Sequence, residues 1–160
     1  METANQGTVT PEEMEKVSVG IREMVQFGES KNGVLAAANL AILYNVAGKV
    51  ISFSSPLHAV LSVLALVLFA VSTLILFYSM FPKLKFSKSV NPLFFGSIHQ
   101  MKQEDYVNLC ETMTEAELVR HYAAHIHVNS GFALRKFRDF KYAAAFAAPS
   151  YVIFAVLYFI

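Results

Sequence analysis

Apolar and polar positions follow two different patterns along this chain. In the stretch 10–30, TPEEMEKVSVGIREMVQFGES, Met14, Val17, Ile21 and Met24 recur at alternating spacings of three and four. That is one apolar stripe on a helix whose other faces carry Glu and Lys. Thr10 fits an N-cap, Pro11 the first helical position, and Glu13 completes a capping box. The pattern predicts an amphipathic helix packed on a neighbour. Beyond it the apolar positions stop being a stripe and surround the helix. Residues 33–53 carry a single charge, Lys49, and reach the roughly twenty residues that a membrane span needs. Ser54, Ser55 and Pro56 then predict a break, and residues 59–81 hold no charge at all.

A polar segment follows. Lys83, Lys85 and Lys88 come directly after the second apolar run. Residues 91–98, NPLFFGSI, predict a compact loop or short helix with Phe94 and Phe95 available for packing. Thr114 to Glu117, TEAE, is a second capping box. From there one helical face runs through Leu118, Tyr122, Ile126, Asn129 and Ala133. The last uncharged run is 142–160, with Pro149 as an expected kink. The expected architecture is an all-α integral membrane protein with three transmembrane helices and a cytosolic helical bundle, assembled as a homo-oligomer. Its parts are an amphipathic helix over 1–32, a transmembrane hairpin over 33–81 (spans 33–53 and 59–81), a cytosolic helical region over 82–141, and a third span over 142–160.

The first span differs from a lipid-facing anchor, because it contains Asn32, Asn39, Tyr44 and Asn45. Amides in hydrocarbon are costly unless they meet a partner or water. Asn32 and Asn39 lie seven residues apart and share a face. Two readings follow: hydrogen bonds between helices, or a water-lined path with Asn32, Asn39 and Asn45 along a pore.

Composition agrees with a membrane protein. Apolar residues make up 55% and charged residues 16%, against about a quarter charged in a soluble domain. The net charge of +1 is uninformative, but its distribution is not. All twelve acids lie within 2–29 or 104–139. Lys and Arg flank the polar side of the second and third apolar runs, whereas the Ser54–His58 turn has none. The rule that cations stay inside places the N-terminus and 82–141 in the cytosol. The first apolar stretch begins after some thirty residues, too late for a cleavable signal peptide.

Catalytic chemistry is not expected. Ser130-Gly131 lacks the pattern of a nucleophile elbow, and Gly28 and Gly33 do not form a phosphate loop. His121, His125 and His127 lack a further ligand for zinc, so they read as solvated or partner-contacting. A lone Cys110 neither closes a disulfide nor builds a structural zinc site, and no cofactor is expected. The basic stretch 135–141, RKFRDFK, holds four cations within seven positions. Each gains roughly 1 kcal/mol beside anionic lipid, so an anchor is the plain reading. Arg135, Arg138 and Lys141 form one row, Lys136 points elsewhere, and Phe137 and Phe140 lie between. Cations with interleaved aromatics also suit phosphate pairing and base stacking.

Several pieces in order resemble the Pycsar-type transmembrane effector family of bacterial antiphage defence. They are SKNGVLAAANLAIL at 30–43, the second apolar run ending in FPKLK, LFFGSI at 93–98, EDYVNL at 104–109 and KY at 141–142. The resemblance implies a membrane protein controlled by a nucleotide signal, whose activation kills or arrests the infected cell by compromising its inner membrane. Similar proteins are effectors of the Hailong system, where a short DNA oligomer keeps a channel closed. The expected partners are therefore further copies of the chain, with a tetramer as the expected ring, and the lipid bilayer. The signal is expected to be a cyclic mononucleotide or a short single-stranded oligonucleotide made by a partner nucleotidyltransferase or cyclase. A ring would repeat Lys31 at the mouth of the first span in every copy. Candidate ligand-binding residues are Lys31, Arg120, Arg135, Phe137, Arg138 and Lys141. The rival expectation is a non-conducting membrane adaptor that binds a protein through Met14, Ile21 and Met24. Ligand class and the sign of control stay open.

Overall fold

The computed structural model describes residues 9–49, 55–81 and 91–159. Every described element is an α-helix: α1 (Pro11–Lys49), α2 (Pro56–Met80), α3 (Phe95–Gln100), α4 (Gln103–Thr112) and α5 (Glu115–Phe159). Two of these are long and apolar enough to cross a membrane, α2 and α5. The expected span 33–53 runs in α1 as far as Lys49, and its last residues lie outside the described ones, as do Lys83, Lys85 and Lys88.

Local chemistry sets the helix ends. At α1 the Thr10 N–H donates to Glu13 Oε2 (2.9 Å), and the Glu13 N–H donates to Thr10 Oγ1 (3.3 Å). Thr114 and Glu117 make the same exchange at the start of α5 (2.9 and 3.3 Å). Each box satisfies donors that the first turn leaves free. The hydrogen bonds hold the carboxyls of Glu13 and Glu117 below their ordinary value. Ser55 caps α2 by accepting from the His58 N–H (3.3 Å), with Pro56 in the first turn. α5 continues through Pro149, which has no N–H to offer the carbonyl one turn back.

The chain divides into two compact units. The first takes α1 up to Met24, α3, α4 and α5 up to Ala133. Here the inward positions of α1 are Met14, Ser18 and Ile21, while Val17 and Met24 are half exposed (50% and 54%). The expected stripe therefore mixed inward and outward residues. The reason is polar: Ser18 is buried because its hydroxyl meets His125 Nδ1 of α5 (3.3 Å). The face predicted on α5 is turned inward throughout, and it includes His125 as well. In the 91–94 turn the Leu93 N–H donates to Asn91 Oδ1 (2.9 Å), and Tyr106 of α4 donates its hydroxyl proton to the Pro92 carbonyl (3.3 Å).

The second unit takes α1 from Val25, α2, and α5 from Leu134. Its buried positions are Gly28, Asn32, Ala36 and Asn39 on α1, Ala65, Phe69, Ser72, Thr73, Leu76 and Ser79 on α2, and Lys136, Ala143, Ala147 and Ser150 on α5. Spacings of three, four and seven recur on all three helices, which is the period of interlocking side chains in a left-handed bundle. Gly28 lets α1 approach α5, since a Cβ there would stand 2.9 Å from Lys136 Cβ. Large apolar side chains such as Leu57, Val60, Leu74 and Phe77 point outward from α2. Apart from Phe69 and Leu76, the inside is built mostly of small and polar residues, and the outside is apolar, as expected where lipid is the solvent.

Candidate functional site: a polar interior and a cationic collar

The interior of the second unit holds two groups of hydrogen-bonded polar residues. Asn32 Nδ2 donates to Ser79 Oγ (3.2 Å), and Asn39 Nδ2 to Ser72 Oγ (2.8 Å). Seven residues forward on α1 thus correspond to seven residues back on α2, the register of an antiparallel pair. Ser72 passes its own proton to the Ala143 carbonyl of α5 (2.8 Å), and Tyr151 of α5 donates to Asn39 Oδ1 (2.8 Å). Lys136 Nζ donates to the Ser79 carbonyl in the last turn of α2, and lies 3.3 Å from Glu29 of α1. That carbonyl is one of the four that a helix end leaves free, so a cation there satisfies both hydrogen bonding and the helix dipole. Three helices are joined through one buried ammonium. Asn32 Oδ1 and Thr73 Oγ1 are buried without a hydrogen-bond partner among the described residues.

The outer surface of the same unit is different in kind. Lys31 Nζ stands 4.4 Å from the ring centre of Phe27, 5.9 Å from Phe137 and 5.7 Å from Phe140. Phe27 and Phe137 also touch, with centroids 6.3 Å apart. Arg135, Arg138 and Lys141 are exposed on α5. The described part of this unit contains two acids, Glu29 and Asp139. Glu29 faces Lys136, and Asp139 lies 3.8 Å from Arg138. Lys31, Arg135 and Lys141 enter no ion pair among the described residues, so the collar carries unbalanced positive charge.

The expected site residues therefore separate into groups. Asn32 and Asn39 lie inside the bundle, each 0% exposed and hydrogen-bonded between helices. Asn45 is exposed and donates to its own helix at the Ala41 carbonyl (2.7 Å). Lys31 and Phe137 come together, and Arg135, Arg138 and Lys141 share α5 with Phe137. Arg120 is exposed and belongs to the first unit. Sequence reasoning missed Glu29, Phe27, Ser72, Ser79 and Tyr151. A signal was present: Ser72 and Ser79 repeat on α2 the seven-residue spacing of Asn32 and Asn39 on α1.

In the first unit His125 is half-buried beside Ser18, with Asn129 Nδ2 3.0 Å from its Nε2. Burial, and then the charge of Arg22, hold its pKa below the ordinary value. No group of three or more His, Cys, Asp or Glu able to hold a metal occurs among the described residues.

Membrane-length apolar helices around a hydrogen-bonded polar interior define a helical membrane protein. The chain belongs to the family of the Pycsar effector protein domain, whose model matches residues 13–160. Membership makes it a membrane-associated effector of antiphage defence, in a family of transmembrane effectors rather than catalytic domains. Comparison with curated proteins and with solved structures gave no match.

Proposed function

We propose that the protein is a homo-oligomeric effector of the bacterial inner membrane, switched by a nucleotide signal between a closed and a conducting state. Ion flow through it disrupts the membrane and aborts the infection. The observation that carries this reading is the unbalanced collar: both acids of the unit face other cations, leaving Lys31, Arg135 and Lys141 without an ion pair among the described residues, with Lys31 over the ring of Phe27. Such a surface suits a polyanion with stackable bases, either a cyclic mononucleotide or a short single-stranded oligonucleotide made by a partner nucleotidyltransferase or cyclase. Arg138 and Phe137, neighbours on α5, are proposed contacts of the same ligand, and Arg120 is a separate contact to be tested by its own substitution.

Three helices of one chain do not enclose an ion path, but a symmetric ring, a tetramer as proposed, does. In the structure the amides of Asn32 and Asn39 are engaged by serines, an arrangement we assign to the closed state. Conduction requires those two amides to exchange their serines for water, with the already exposed Asn45 further along the same path. The signal controls this only if its affinity differs between the two states. A second reading is a non-conducting adaptor, favoured by the half-exposed Met24 and Val17 of α1. Ion efflux from liposomes containing the purified protein separates the two. Efflux that responds to added nucleotide supports the channel, whereas none at any nucleotide concentration leaves the adaptor.

A further inference from the structure

We infer that Lys31 and the groove beside it hold one anionic phospholipid, with the phosphate on Lys31 Nζ and an acyl chain along Val34, Leu35 and Ala38. The groove is lined by Phe27, Ser30, Lys31, Val34, Leu35, Ala38 and Phe140. Lys31 and Ser30 supply its polar groups. The rest is hydrocarbon and aromatic. Val34 is 72% exposed, so the apolar lining is open to an occupant. This inference rests on the membrane reading of the second unit; it withdraws Lys31 from the nucleotide surface proposed above, which then falls to Arg135, Arg138 and Lys141, and it does not depend on conduction.

Three observations choose the occupant. First, Lys31 needs an anion from outside. The acid nearest in sequence, Glu29, is directed to Lys136, and Lys31 is in no ion pair among the described residues. Its three aromatic neighbours attract the ammonium through their ring faces but carry no net charge to balance it. Second, the groove continues along α1 into the apolar run 33–53, the direction an acyl chain takes from a headgroup at the bilayer surface. Third, the lining is wrong for a nucleotide. A base and ribose seated on Val34, Leu35 and Ala38 would lose water from their polar edges and gain no hydrogen bond in return. A chain of methylenes loses nothing there and buries apolar area.

The test uses the full chain in detergent, with palmitoyl-oleoyl phosphatidylglycerol and the corresponding phosphatidylcholine as probes and native mass spectrometry as the readout. Wild type should retain phosphatidylglycerol in preference to phosphatidylcholine. Lys31→Gln should weaken that preference about fivefold, the worth of one cation at an anionic membrane surface, and Lys31→Arg should restore it. Ala38→Phe, which fills the groove and leaves the charge, should lower retention of the long-chain lipid but spare dihexanoyl phosphatidylglycerol. Helicity by circular dichroism reports folding. Should Lys31→Gln fail to fold, the Ala38→Phe comparison decides alone. Equal long-chain retention by Ala38→Phe and wild type would overturn the proposal. So would displacement of the long-chain lipid from wild type by a short single-stranded oligonucleotide, which would return Lys31 to the signal site.

Discussion

Two glycines on one helix have opposite roles. Gly28 is buried, and a methyl group there would stand 2.9 Å from Lys136 Cβ. Carbon atoms pack at about 3.5–4 Å, and a Cβ cannot swing aside as the end of a side chain does. Gly28→Ala should therefore destabilise by about 1–3 kcal/mol, and should also disturb the ammonium that joins α1, α2 and α5. Gly20 has nothing within 4 Å of the same position, so Gly20→Ala should stabilise by up to about 1 kcal/mol through helix propensity. Unfolding in detergent, followed by helicity, measures both. A second effect at this scale belongs to His125. Its folded pKa is lowered, so the folded chain binds the proton less tightly than the unfolded one. The stability it contributes is full above its ordinary value of 6.5 and falls away as the pH drops through that value toward the lowered one. His125→Gln should flatten the melting temperature against pH between about 7 and 5. An unchanged slope would place the acid sensitivity elsewhere.

Helix ends were written plainly in the sequence; inward faces were legible on the first half of α5 and at Asn32 and Asn39, but not along the start of α1 or on α2. The boxes at Thr10–Glu13 and Thr114–Glu117 and the cap at Ser55 close as their residue types require. These are local interactions, readable within four positions. The inward face of a membrane helix is read by a different rule. Where the solvent is hydrocarbon, apolar residues are needed outside, and the interior is marked by small and polar ones. Hence Leu57, Leu74 and Phe77 of α2 face outward, while Gly28, Ser72 and Ser79 do the packing. Lys136 was legible only as a residue off the row of Arg135 and Arg138, since its partners come from α1 and α2. Polar bonds between membrane helices are individually modest. An Asn39→Ala/Ser72→Ala double-mutant cycle should give a coupling of about 0.6 kcal/mol. Asn39→Ala alone should cost more, because Tyr151 loses its acceptor too. Zero coupling would mean that the two helices part in the state measured.

Orientation and control are properties of the whole molecule. Lys83, Lys85 and Lys88 follow the second apolar run and the 135–141 cations precede the third, so a reporter fused at Ser55 should be periplasmic and one inserted near Gln103 cytosolic. A cytosolic Ser55 would reverse the arrangement and place the collar on the wrong side for a cytosolic signal. Given the expected side, Arg135→Ala/Arg138→Ala tests the collar as a receptor. A cation that no longer meets a phosphate displaces no counterion, so the slope of log affinity against log salt should flatten by about 1.4 when two cations are withdrawn from a single strand. Insertion should survive, because the lysines after the second run still set the orientation. Arg138 also lies 3.8 Å from Asp139, so removing it uncovers a carboxylate and adds repulsion to the missing attraction. Asp139→Asn separates the two: it removes the competing charge, and should tighten nucleotide binding while leaving the salt slope near that of wild type. The phenotype of the double variant then gives the sign of control. If the signal opens the channel, the variant is harmless and unprotective; if the signal holds it closed, the variant is toxic without phage. Affinity and salt slope equal to wild type in both variants would leave the collar as an anchor alone.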